Sequence, residues 1–201
     1  MRLPYTPNPP VPATDDEAAI ISRIQARRAP RPLQPLDLAL LHAPAVADGW
    51  NAFLGAVRTR TTLDAACREL AICRVAACNE AWYEWAHHAP LALAAGVGAD
   101  AMGIVRDNGK TRGGLASVDE EERKGAGLSD REWAVLRYAD EMTRNVAVPE
   151  EVFAALRSVC SEKEVVEVTA TVAAYNCVSR FLVALDVGER NGTGPDDAGG
   201  H

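Results

Sequence analysis

From about residue 63 to 96 the sequence reads as helix with one short break, and it is dominated by Ala, Leu, Val, Ile, Cys and aromatic residues. A helix that is apolar on most of its faces has to be buried. Yet the stretch RELAICRVAACNEAWYEWAHHAP, residues 68–90, sets Glu69, Glu84, His87 and His88 into this apolar background. Carboxylates and imidazoles are costly to bury without partners, so their grouping here points to a site. The other two histidines, His42 and His201, are far away in the sequence.

No run elsewhere alternates at period two, so the expected fold class is all-α. Thr14 and Glu17 form a capping-box pattern that opens a helix to about Arg28, and Pro30, Pro32 and Pro35 end it. Further helices are expected over 36–42, 45–59, 63–78, 80–96, 99–106, 130–145, 149–159 and 162–185. Asn79 is placed to cap the helix that carries the histidines, and Pro90 to kink or restart it. Ser129 and Glu132 repeat the capping-box pattern.

The Pro-rich residues 1–13 read as an extended arm that frays or packs across a neighbour. Residues 108–128 are Gly-rich with the run DEEERK and read as a mobile insertion or lid. Residues 188–201 read as a disordered tail. One helical domain over 14–187 remains. RVAACN at 74–79 also echoes TVAAYN at 171–176, as two related hairpins or a chance match would.

A net charge of -7 argues against a general binder of nucleic-acid backbone. The five cysteines, Cys67, Cys73, Cys78, Cys160 and Cys177, include no CxxC pair and are odd in number. Reduced core thiols are therefore expected, rather than a zinc cage or disulfide framework. The N-terminus lacks the apolar core of a signal peptide. No run approaches the roughly 20 apolar residues of a membrane span. These features together read as a soluble, cytoplasmic protein.

Glu84 and His88 stand one turn apart on a shared helix face. A hydrogen bond from one ring nitrogen to Glu84 would fix the tautomer, leaving the other nitrogen to exchange protons near neutral pH. An ordinary i,i+4 surface pair has the same spacing. The flanking Trp82, Tyr83 and Trp85 favour burial, and Glu69 can reach the same spot if the two helices pack together. His87 points about 100° away from His88 by helical geometry and reads as structural. That divergence also argues against a two-histidine metal site, so no metal is expected.

On RELAICRVA at 68–76, Asn79, YEWAHH at 83–88, LSDREWAVLRYADEMTRNV at 128–146 and YNCVSRFLVALDV at 175–187, the chain resembles the carboxymuconolactone decarboxylase family. The likeness covers about 36–188. It implies the alkylhydroperoxidase D-like helical bundle and a homo-oligomer, trimeric or hexameric. In redox members of that fold a glutamate, a CxxC pair and a histidine form the site. Here those positions fall on Glu69, Ala81, Glu84 and His88, so the two sulfurs needed for thiol–disulfide exchange are missing.

The decarboxylase-like members imply chemistry without a cofactor, with His88 as proton donor, Glu84 as its orienting partner and Glu69 as a second acid–base group. Arg74 and Arg180 are the cations for a substrate carboxylate, and each fits a structural ion pair equally well. A pocket is expected between helices 63–78 and 80–96, lined by Tyr83 and Trp85. The leading expectation is a decarboxylase- or isomerase-type enzyme acting on a small carbonyl, lactone or carboxylate substrate. The alternatives are a thiol-dependent hydroperoxide reductase and a non-catalytic binding or scaffold protein.

Overall fold

The computed structural model describes residues 1–107 and 114–197. Among them are ten α-helices and no strand, as the missing period-two pattern implied. Residues 108–113 of the expected insertion and 198–201 of the expected tail lie outside the described residues. The chain forms two compact units.

The first unit comprises residues 1–61 and 184–189. It holds α1 (Asp15–Arg28), α2 (Pro35–Leu40) and α3 (Pro44–Thr59). Thr14 caps α1, its Oγ1 accepting from the Glu17 amide at 3.2 Å. Glu17 reaches back to the amide of Ala13 at 2.7 Å, one residue before the cap itself. Arg28 on α1 pairs with the buried Asp37 of α2 at 2.8 Å. The proline-rich arm lies along its own unit: Arg2 donates to the Leu185 carbonyl at 2.8 Å and Thr6 to that of Leu38 at 2.7 Å. The amide of Gly188 donates to the Tyr5 hydroxyl at 2.8 Å, and the N-terminal ammonium pairs with Glu189.

The second unit comprises residues 62–183 and those from 190 onward. It contains α4 (Ala65–Cys78), α5 (Trp82–Ala94), α6 (Ala99–Arg106), α7 (Glu120–Gly125), α8 (Asp130–Asn145), α9 (Glu150–Val159) and nearly all of α10 (Glu162–Leu185). Every residue of α4 from 69 to 77 is buried, and α4 packs against α5, α6 and α8. By length and composition α10 could cross a membrane, which the sequence reading did not anticipate. Its buried side chains, among them Val168, Val172, Ala174 and Leu182, are those of a core helix.

The α4–α5 turn departs from the sequence expectation. Asn79 ends α4 and does not cap α5. The amide of Ala81 reaches the Ala76 carbonyl at 2.9 Å and that of Glu80 the Ala77 carbonyl at 3.2 Å. This is a Schellman closure, with Glu80 at φ 53° where glycine is usual. Asn79 instead donates through Nδ2 to Asn176 Oδ1 at 3.2 Å. The two ends of the sequence echo therefore meet. Pro90 lies inside α5, and the helix continues past it to Ala94.

Residues 114–128, read from sequence as loop, carry a 3₁₀ turn (Gly114–Ser117) and α7, which Asp119 caps by accepting from the Glu122 amide at 2.8 Å. A buried ion pair fixes that turn. Arg74, with no exposed surface, donates through Nε and Nη2 to Asp140 Oδ1 at 2.9 and 2.7 Å. Its Nη1 donates to the carbonyls of Val105, at 2.9 Å, and Asp107. Asp140 also accepts from Arg144 Nε at 2.7 Å and from the Leu115 amide at 3.3 Å. Gly114 has φ +80°, and a Cβ there would sit 3.1 Å from Asp140 Oδ2, so a side chain would be both strained and crowded.

Breaking a buried pair leaves a charge uncompensated, so Asp140→Ala is predicted to cost about 3–5 kcal/mol in urea denaturation. Burial pushes the Asp140 carboxyl up, but Arg74 and Arg144 outweigh it and hold it below the ordinary carboxylate range. Its contribution is full above the unfolded value of about 3.9 and is lost as pH falls through the lower folded value. The variant should therefore lose less stability than the parent on acidification below about pH 4. An equal loss in both would count against this role.

Candidate active site

Three polar side chains lie buried inside the second unit, one on α4 and two on α5. His88 on α5 is 8% exposed, while Glu69 on α4 and Glu84 on α5 are each 2% exposed. His88 Nδ1 lies 2.6 Å from Glu69 Oε2, a short charge-assisted hydrogen bond. Glu69 Oε1 accepts from Arg68 Nε at 3.3 Å. The edge of the Tyr175 ring, from α10, meets the imidazole at a centroid distance of 5.0 Å and an interplanar angle of 82°.

The orienting partner of His88 is thus Glu69 rather than Glu84. Glu69 projects from a neighbouring helix and reaches Nδ1 directly, whereas Glu84, one turn back on the same helix, turns toward α10. Its Oε2 accepts from Ser179 Oγ at 3.0 Å, and its buried Oε1 has no hydrogen-bond partner among the described residues. Burial pushes the Glu84 carboxyl well above the ordinary carboxylate range, and the Ser179 hydrogen bond only partly opposes that shift. The two acids are both buried but their neighbours differ: Glu69 is paired with a ring nitrogen and an arginine, whereas Glu84 is desolvated, which favours its protonated form.

Sequence reasoning missed Ser179 and Tyr175. They stand one helical turn apart within YNCVSR, a spacing that puts both on one face of α10. His87 is kept out of the cluster: its Nδ1 lies 2.8 Å from the Tyr83 carbonyl and its ring stacks on Tyr83 at 4.4 Å.

The remaining candidates are placed elsewhere. Arg74 is committed to Asp140, so of its two readings the structure has the ion pair. Arg180 is exposed and bonds to the carbonyl and side chain of Asn176 on its own helix. Trp85 sits in the hydrophobic core with Leu70, Cys73, Ala77 and Trp82, its ring edge-on to that of Trp82 at 6.4 Å. Two cavities, of about 600 and 530 Å³, lie in the same unit, and neither is lined by Glu69, Glu84, His88, Tyr83 or Trp85.

No group of three or more His, Cys, Asp or Glu among the described residues is placed to hold a metal ion. All five cysteines are free thiols. Burial pushes Cys67 to about 12, Cys78 to about 11 and Cys73 well above its ordinary value, so none of these three is a ready thiolate.

Residues 44–118 match the carboxymuconolactone decarboxylase family, a span that contains Glu69, Glu84 and His88. No curated protein matches the chain in sequence. Solved structures share the fold. The alkylhydroperoxidase AhpD core of an uncharacterized peroxidase-related protein from Ralstonia eutropha JMP134 superposes with a TM-score of 0.69 at 20% identity, covering 96% of each chain. A peroxidase-related protein from Silicibacter sp. TM1040 gives 0.68 at 16% identity, covering 94% of this chain and 95% of that one. A variant of the debrominase Bmp8, solved with 2,3,4-tribromopyrrole, gives 0.65 at 14% identity, with 93% of each covered. The fold is the alkylhydroperoxidase D-like all-α fold.

The raised Glu84 carboxyl has a measurable consequence. A carboxyl whose folded value exceeds its unfolded one favours the folded state at low pH, and that advantage drains away as pH rises from about 4.3 toward the folded value. Glu84→Gln, which cannot ionise, should therefore remove part of the stability lost between pH 5 and 8, as read by thermal melts across that range. A parallel shift at every pH would show that Glu84 does not titrate in this way.

Proposed function

We propose that the chain is a cofactor-independent enzyme of the decarboxylase or isomerase type, moving a proton on a small carbonyl, lactone or carboxylate substrate. The observation that carries this reading is the 2.6 Å His88–Glu69 hydrogen bond inside a desolvated cluster. With Glu69 as a carboxylate, the proton on that side stays at Nδ1, and exchange with substrate falls to Nε2. One tenth of the His88 side chain remains exposed, which keeps the ring in reach of solvent protons.

In a decarboxylation the bond to the carboxyl carbon breaks, carbon dioxide leaves and the electron pair delocalises onto an adjacent carbonyl oxygen. His88 then delivers a proton to carbon and recovers one from solvent. In an isomerisation the same imidazole removes a proton beside the carbonyl and returns it at another carbon. Glu84, whose burial favours the protonated form, is suited to donate a hydrogen bond to the developing oxyanion. Arg180, on the exposed side of α10, is the remaining candidate for a substrate carboxylate. Assembly into a homo-oligomer and a reducing cytoplasmic setting belong to the same proposal, supported by exposed Phe53, Leu91 and Leu93 and by the free thiols.

A second reading, a non-catalytic binding or scaffold protein, is favoured by one observation: both cavities are lined by residues other than the acid–histidine group. Thiol-dependent peroxide reduction has less support, because Ala81 and Glu84 stand where that chemistry places its sulfurs. The halogenated pyrrole held by the debrominase is of the size of substrate proposed here.

His88→Ala is expected to lower turnover about 10²–10⁴-fold, with circular dichroism and melting temperature close to the parent. Full activity in this variant would move the chemistry elsewhere or leave the binding reading. Thiol titration before and after hydroperoxide treatment should give the same count, and the reversible loss of two thiols would revive the reductase.

A further inference from the structure

The cavity of about 530 Å³ between α7, α8 and α9 holds a charged side chain that the rest of the fold leaves unanswered. Arg137 projects from α8, one turn after Trp133, and its guanidinium lies over that indole at 5.9 Å from the ring centroid. Its Nε is buried and has no hydrogen-bond partner among the described residues. A buried donor on a permanent cation is expensive to leave unmet, and each such group in a folded protein calls for an explanation.

The surrounding charges do not supply one. Arg123 is answered by Asp130 at 2.7 Å and Lys124 by Glu120 at 2.5 Å. Asp119 is taken up in capping α7. Glu151, the remaining acid on the lining, forms no ion pair with Arg137 among the described residues. The lining also includes Val152, Ala155 and Val159 of α9, spaced as one apolar helix face. The cavity therefore joins a planar cation, an aromatic platform and an aliphatic wall, in a volume suited to a small ligand.

We propose that this cavity is a binding site for a small aromatic carboxylic acid, its carboxylate taken by the Arg137 guanidinium and its ring held between Trp133 and the α9 stripe. The planar fork of arginine meets a carboxylate through two parallel N–H bonds. The flat ring matches the indole face and the narrow apolar wall. None of these residues belongs to the acid–histidine cluster, so the site stands whether or not the catalytic reading does.

4-Fluorobenzoate, followed by ¹⁹F NMR on the full chain, tests the assignment. Saturable binding is expected, displaced by unlabelled benzoate and not shown by neutral 4-fluorobenzamide. Arg137→Met should weaken it about tenfold or more, and Arg137→Lys, which keeps the charge and loses the fork, should weaken it less. Thermal melts establish that each variant is folded; Trp133→Leu, expected to weaken binding several-fold, serves if Arg137→Met is not. Glu69→Gln should bind as the parent does. Absence of saturable binding, equal binding of the amide, or binding lost in Glu69→Gln but kept in Arg137→Met would overturn the proposal. So would loss of self-association in Arg137→Met without any ligand effect, which would make a second copy the occupant.

Discussion

Helix α4 imposes the condition that the second unit has to meet. It buries every residue from 69 to 77, and two of those, Glu69 and Arg74, carry acidic or basic side chains. A guanidinium cannot shed its proton to escape desolvation, so Arg74 has to find a counter-charge and fill its remaining donors. Asp140 on α8 supplies the charge, and the carbonyls of Val105 and Asp107 at the end of α6 take the rest. Because Asp140 also holds the Leu115 amide, one ion pair fixes α4, α6, α8 and the 3₁₀ turn together. Residues 107 and 115, on either side of 108–113, are both tied to it.

The same constraint, met differently, generates the acid–histidine cluster. Glu69 is answered by His88 and Arg68. Among the described residues Glu84 receives a serine hydroxyl on one oxygen, and burial favours its protonated form. The two carboxyls are thus satisfied differently because their neighbours differ, Glu69 by a ring nitrogen and an arginine and Glu84 by one hydroxyl.

Much of the fold was legible because helix signals are local. Thr14 and Ser129 cap where their spacing to Glu17 and Glu132 says they should, and α8 and α10 begin and end close to their apolar limits. The errors fall where a local signal had two readings. Asn79 looks like an N-cap, but Glu80 takes the left-handed position and turns the chain first. The DEEERK run looks like a solvated loop, yet Asp119 before it, acids in its first turn and bases in its last are what a short helix carries. The site was legible as a cluster, with Glu69, Glu84 and His88 all buried within one unit, but its internal pairing was not.

Composition and periodicity by themselves determined that the chain is helical, that most of residues 69–88 are buried and that ionisable groups inside them must be satisfied. Those conclusions rest on spacing along one segment and on the cost of desolvation. Which partner satisfies which group was decided only by the tertiary structure. Glu69 meets His88 across a helix pair, Glu84 meets Ser179 from 95 residues away and Arg74 meets Asp140 from 66 residues away. Such contacts depend on how helices are rotated and stacked against one another, and that information lies in the packing of the whole unit rather than in any window of its sequence.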